Sequence, residues 1–287
     1  MRRILCSLLI ASALLAQDKP APVRLQPLRQ SPPASVGQDV GISRVEIAYH
    51  RPFVRGRKVW GDLVPHGDVW RMGANNATTL TLSHAALVAG KPVPAGTYGL
   101  FAIPGPKTWT LILNTRARQW GAYDYKASED LCRFEVTPQV GPFQEALAFT
   151  LTPLDTRQVR VTVAWEKLQV SFPIAFDTPG LYWSHLEATL AKAPDTDPIP
   201  WLQAARYCQE QGLEPAKAMA WIEKSLKAGE TAGNHEVAAR LLKAAGRGAE
   251  ALPHLERAIQ LSQGKAPADA IQDLERLRDR WKAEPPR

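Results

Sequence analysis

The chain has 287 residues, 45% of them hydrophobic and 22% charged, which supports one large or two ordinary packed domains and excludes wholesale disorder. Three cysteines exclude a disulfide-stapled miniprotein. The formal net charge of +7 is spread along the chain rather than gathered into a basic stripe, so nucleic acid is not an expected partner.

Residues 1–16 have the build of an export signal. Arg2 and Arg3 form a positive start, and Ile4 to Leu15 form an apolar run too short to span a bilayer. Ala16 is a small residue at which a peptidase can cut. The expected destination is the periplasm or the medium. No later stretch has the uninterrupted apolar length of a transmembrane helix. Residues 17–30, with Pro20, Pro22 and Pro27, read as a proline-rich linker. Loss of the signal would leave Cys132 and Cys208, for which a disulfide and two separate thiols are both open.

From about residue 31 to 176 the pattern has period two. Val45 to Tyr49, Thr79 to Leu82, Leu147 to Leu151, Arg160 to Val163 and Gln169 to Phe172 alternate. Tyr98 to Ile103 and Trp109 to Leu113 are more continuously apolar, as inner strands are. Turn signals such as Pro94-Ala95-Gly96 and Gly141-Pro142 separate the runs. Short strands at this spacing predict an antiparallel β-sandwich.

Beyond Gly180, to residue 284, alanine, leucine, glutamate and lysine dominate, and helices are expected. Ala204-Ala205-Arg206 recurs as Ala238-Ala239-Arg240, and Gly212 as Gly246. Trp221 to Lys224 corresponds to His254 to Arg257. A helix–turn–helix unit of about 34 residues is similar to the tetratricopeptide repeat. Gly180 to Ala191 would lead this array and Pro267 to Lys282 would close it. The fold class is therefore α+β in two segregated parts, a sandwich followed by helices.

Residues 49–79 and 120–125 depart from scaffold composition. Arginines can grip a carboxylate or phosphate with a planar fork, tryptophans offer flat apolar platforms, and amides and carboxylates add directional hydrogen bonds. The candidate ligand-binding residues are Arg51, Arg57, Trp70, Arg71, Asn75, Trp120, Tyr123 and Asp124. The competing reading is architectural: an arginine beside a tryptophan often stacks on it and pairs with a carboxylate such as Asp124. The six histidines are scattered, and none is placed with the partners that a metal or a nucleophile needs, so no metal, no cofactor and no catalytic residue is assigned.

The strings Arg51-Pro52, Gly56-Arg57, Val59-Trp60-Gly61, Val69-Trp70-Arg71, Gly73-Ala74-Asn75, Pro94-Ala95-Gly96-Thr97-Tyr98, Trp120 to Tyr125 and Trp165 to Ile174 occur in the order that marks one bacterial exported family. Over about residues 31–176 the chain resembles domain of unknown function 2911, in which tetratricopeptide-like helices often follow. The resemblance implies no activity. His66 departs from the aromatic residue more usual after Pro65. The expected function is non-catalytic, with the sandwich taking a small-molecule, glycan or envelope ligand and the helices a protein partner. The alternatives are an enzyme acting on a saccharide or acidic small molecule, and a purely structural envelope protein.

Overall fold

A computed structural model describes residues 28–284. The expected export signal and most of the linker lie outside them. Ten strands come first: β1 (Pro33–Val40), β2 (Ser43–His50), β3 (Thr78–Leu82), β4 (Ala86–Val88), β5 (Lys91–Val93), β6 (Gly96–Ile103), β7 (Trp109–Asn114), β8 (Asp130–Val136), β9 (Gln139–Pro153) and β10 (Gln158–Phe176). Six helices follow: α1 (Thr178–Leu190), α2 (Pro198–Gln211), α3 (Pro215–Ala228), α4 (Ala232–Ala244), α5 (Gly248–Ser262) and α6 (Ala268–Ala283). The fold is α+β in two segments, as its change of periodicity predicts. Among the described residues no helix is long and apolar enough to cross a membrane.

The strands form two antiparallel sheets, ordered β1-β2-β3-β6-β7-β8 and β5-β4-β10-β9. Strict alternation in β2 buries Val45, Ile47 and Tyr49 and leaves their neighbours outside. Strand β10 is different. It buries odd-numbered residues from Val159 to Trp165 and even-numbered ones from Val170 to Phe176. A bulge explains the change of parity. The pairing with β9 slips on either side of Glu166, whose φ of 55° is left-handed. The irregularity turns the strand so that both runs face one core.

Continuous burial along β6 and β7 also has a cause. Leu100, Leu111 and Leu113 point into the main core, whereas Phe101 and Ile112 occupy the other face. There Val69, Ala122 and Tyr125 cover them. The Trp120 to Tyr125 segment is thus partly a cover over the outside of the six-stranded sheet.

The helices pack as neighbours, α2 with α3 and α4 with α5. Proline in the first turn starts α1, α2 and α3, and a Thr231–Asn234 capping box starts α4. Leu181 of α1 packs against the sandwich core. Cys132 and Cys208 are free thiols, which resolves the choice the sequence leaves open.

Candidate functional site

The 27-residue connection from β2 to β3 has almost no regular structure, yet it is held firmly. Val54, Val59, Val64, Trp70 and Met72 are buried in it. Phe53 forms a bridge to Ala146 of β9. Trp70 exchanges two main-chain hydrogen bonds with Ala102 of β6, at 2.7 and 2.9 Å. The connection therefore ties the two sheets together. It does so at a conformational cost. Arg55, Met72 and Asn75 have φ of 51°, 50° and 55°, a region that side chains bearing a Cβ disfavour.

Four tryptophans meet beneath this connection. Trp60 and Trp70 come from it, Trp109 from β7 and Trp165 from β10. Trp60 lies 4.7 Å from Trp109 and 5.8 Å from Trp165, centroid to centroid. Trp70 and Trp165 stack, with planes 15° apart. The indole N–H groups of Trp60, Trp109 and Trp165 are buried and have no acceptor among the described residues. Such donors normally find one.

Trp70 and Trp165 form part of the wall of an open cavity of about 210 Å³. Phe53, Leu63 and Val64 extend the apolar lining, and Arg55, Arg57 and Arg71 supply the charge. Among the described residues no aspartate or glutamate lines it. The three arginines are not equivalent. Arg57 donates through Nε to the Val54 carbonyl at 3.0 Å and through a terminal nitrogen to the Phe53 carbonyl. Arg55 donates to the Gln30 side chain at 3.0 Å and lies over the Phe53 ring. Glu145, on β9, accepts the Arg55 main-chain N–H at 2.9 Å. Among the described residues Arg71 has no side-chain acceptor and no carboxylate partner, and its Nε is buried. Burial holds its guanidinium below the usual arginine range, an effect partly offset by the nearby Tyr123 phenol.

The structure divides the sequence-predicted residues into three groups. Arg57, Trp70 and Arg71 line the cavity. Arg51 and Asn75 lie next to cavity-lining residues in the chain but bind the framework. Arg51 Nε donates to the Leu147 carbonyl at 3.0 Å, and Asn75 donates its amide to the Ser31 carbonyl at 3.2 Å. Trp120, Tyr123 and Asp124 lie on the surface. Trp120 lines a separate shallow hollow of about 430 Å³ with Asn76 and Gln119. Tyr123 is exposed, and Asp124 pairs with Arg116 at 3.6 Å rather than with an arginine of the cavity.

Gln30, Ser31, Pro52, Phe53 and Trp165 line the cavity without having been candidates, and Arg55, one of the loop arginines that the sequence marks as able to bind an anion, lines it as well. Arg55 and Trp165 carried a compositional signal, being an arginine and a tryptophan within motifs. Gln30 and Ser31 carried none, because only the folded chain brings the lead-in against the loop.

His50 ends β2 beside this site. Arg29 donates to its Nε2 at 3.0 Å. Burial, then the charges of Arg29 and Arg71, hold its imidazole below the usual histidine value. It meets no carboxylate there, so it lacks the orienting partner of a catalytic base. Among the described residues no cluster of three or more His, Cys, Asp or Glu side chains could hold a metal ion.

The profile of a family described as "Protein of unknown function (DUF2911)" matches residues 31–174, which contain the whole of this cavity except Gln30. No curated protein and no solved structure matches the chain.

Proposed function

The chain belongs to the DUF2911 family of proteins of unknown function, and on that premise we propose that its sandwich is a ligand-binding domain whose site is the cavity beneath the β2–β3 connection. One observation carries the reading. Among the described residues Arg71 is a half-buried cation with no acceptor and no counter-ion, in a cavity that no acidic residue lines. A scaffold arginine at this depth is normally paired, because an uncompensated buried charge is costly. A bound anion would supply the missing partner. Left-handed backbone at Arg55, Met72 and Glu166, each in or beside the lining, fits a site where local strain is retained for function.

The reading separates from an architectural one by the Arg71→Met variant. Removing a paired structural arginine costs about 3–5 kcal/mol. Removing an unpaired one relieves desolvation, so the variant should melt at or above the temperature of the parent. It should also lose every ligand-induced stabilisation seen with a panel of sugars, organic acids and phosphates. A variant that unfolds several degrees earlier would make the cluster architecture.

The same proposal places the protein outside the cytoplasm, on the strength of the Met1 to Ala16 pattern. N-terminal sequencing of the protein recovered from cell fractions tests this. It also reads α2–α3 and α4–α5 as two tetratricopeptide-like repeats that take a protein partner. The positions related by the sequence repeat share environments: Ala205 and Ala239, Ala218 and Ala251, and Ile222 and Leu255 are all fully buried. Gly212 and Gly246, at the turns, have φ of 66° and 76°.

A further inference from the structure

We propose that the cavity beside Arg71 takes a compact monocarboxylate, a single carboxylate on an apolar body about the size of one ring. This rests on reading the cavity as a ligand site, and adds the charge, size and polarity of the ligand.

Charge follows from counting uncommitted donors. Arg57 gives two of its donor positions to main-chain carbonyls, and Arg55 is tethered to Gln30. Of the three lining arginines, Arg71 is the one whose side chain makes no hydrogen bond to the described residues, its buried Nε included. One guanidinium matches one carboxylate in two-point geometry. A phosphate dianion would have to share Arg55 and Arg57, which already give donors to Gln30 and to main-chain carbonyls, and no helix residue among the described ones lines the cavity to add main-chain N–H groups. Anions as a class are favoured because the lining has three cations and no acid.

Size follows from the volume. An engineered cavity of about 150 Å³ holds benzene. The 210 Å³ found here accommodates such a ring with a carboxylate attached, but not an oligosaccharide.

Polarity follows from the remaining wall. Away from the arginines it is made by Pro52, Phe53, Leu63, Val64, Trp70 and Trp165. A sugar needs several side chains that donate and accept at once, and the neutral polar side chains here are those of Gln30 and Ser31. Gln30 is already held by Arg55. A hydrocarbon ring suits this wall and a hydroxylated one does not. The Trp165 indole N–H, unpartnered in a residue 2% exposed, is a second unsatisfied donor at the same wall.

The test is calorimetric titration of the full chain with four probes: benzoate, cyclohexanecarboxylate, benzamide and inorganic phosphate, with glucose as a neutral polar control. Benzoate or cyclohexanecarboxylate should bind. Benzamide, of the same shape without charge, should bind on the order of 10- to 100-fold more weakly, the ratio expected when a hydrogen-bonded charge is lost. Phosphate and glucose should not compete. Arg71→Met should abolish carboxylate binding, and Arg71→Lys, which keeps charge but loses the fork, should weaken it. Should either variant fail to fold, the benzoate–benzamide comparison on the unaltered chain still decides. In the unaltered chain, benzoate should also shift the NMR resonance of the Trp165 indole N–H. Arg71-dependent binding of phosphate or glucose without benzoate would overturn the monocarboxylate and keep the ligand site. Equal binding of benzoate and benzamide would overturn the role of charge. Binding of none of the probes at millimolar concentration would overturn the proposal. Failure of the wider panel as well, with an early-melting Arg71→Met, would remove the ligand site itself.

Discussion

Trp70, from an irregular loop, and Trp165, from the long strand β10, lie with ring planes 15° apart and centroids 6.0 Å apart. The pair joins the β2–β3 connection to the four-stranded sheet, while the main-chain bonds of Trp70 join it to β6 of the other sheet. Trp165 is 2% exposed. Replacing it by alanine removes the ring that Trp60 and Trp70 both pack against from β10, and should cost about 3–5 kcal/mol. Trp120, though in an equally suggestive motif, is 56% exposed, and its alanine variant should stay within about 1 kcal/mol of the parent. Denaturant melts of the two variants compare them directly.

Asp130, at the start of β8, holds a second junction. Its carboxylate accepts from the Asn114 amide at 2.9 Å, the Tyr125 hydroxyl at 2.7 Å and Arg133 Nε at 2.7 Å. Asp130→Ala should cost about 1–3 kcal/mol, because the buried Asn114 amide keeps only the Lys126 carbonyl and the Tyr125 hydroxyl loses its acceptor. Burial first, then the hydrogen bond to Asp130, push the Tyr125 phenol up to about 12 from its ordinary 10.0. The folded chain thus holds a proton that the unfolded chain releases. Stability should therefore fall as the pH rises from 10 towards 12. Absorbance titration of the phenols in the parent and in Tyr125→Phe tests both statements.

Gly73 sits where the connection returns against β2. A Cβ placed there would come within 2.9 Å of the His50 carbonyl oxygen and 3.2 Å of Thr78 Oγ1. Neither can move far, since Thr78 donates to the Met72 carbonyl at 2.9 Å. Gly73→Ala should cost about 1–3 kcal/mol by forced displacement. It should also weaken ligand binding, because Arg71 and Ala74 lie on the displaced segment. Paired thermal melts and titrations check the two effects.

In the helices, His235 and His254 face each other with Nδ1 atoms 2.9 Å apart, linking α4 to α5. One ring must donate and the other accept, so the contact requires at least one of the two to be neutral. Glu230 and Arg257 stand beside His235, and Glu230 and Glu250 act on His254. Burial is the largest influence on both, and it lowers both from the ordinary 6.5. The unfolded chain therefore binds protons that the folded chain refuses. Stability of α4 and α5 should be flat above neutrality and fall as the pH drops through 6.5. His254→Phe should flatten that slope. His50 contributes with the same sign in the sandwich, so amide hydrogen exchange resolved by residue is the measurement that separates them.

Alternation along β2, the apolar runs of β6 and β7, and the repeat spacing of Gly212 and Gly246 are local patterns. Each reports which side of a strand or helix is buried, so a reader of residues alone recovers the antiparallel strands, the change to helices near residue 178 and the unusual composition of the β2–β3 connection. The short strands β4 and β5, of three residues each, show no readable period. The bulge at Glu166 hides in the same way: Arg160 to Val163 and Gln169 to Phe172 read as two separate alternating runs, and only pairing with β9 makes them one strand with a turned face.

The cavity belongs wholly to the second category. Its composition was visible as arginines and tryptophans, but which arginine lacks a partner depends on contacts between residues far apart in the chain. Leu147 takes Arg51, Gln30 takes Arg55, and Arg116 takes Asp124, the carboxylate within the Trp120 to Tyr125 motif. Arg71 is left over. Hydrogen-bond commitments are settled by the packed chain, not by residue type, because an arginine binds whichever acceptor the fold brings within about 3 Å. Periodicity therefore decides the layers of this protein, and tertiary packing alone decides which half-buried loop arginine is left without a partner among the described residues.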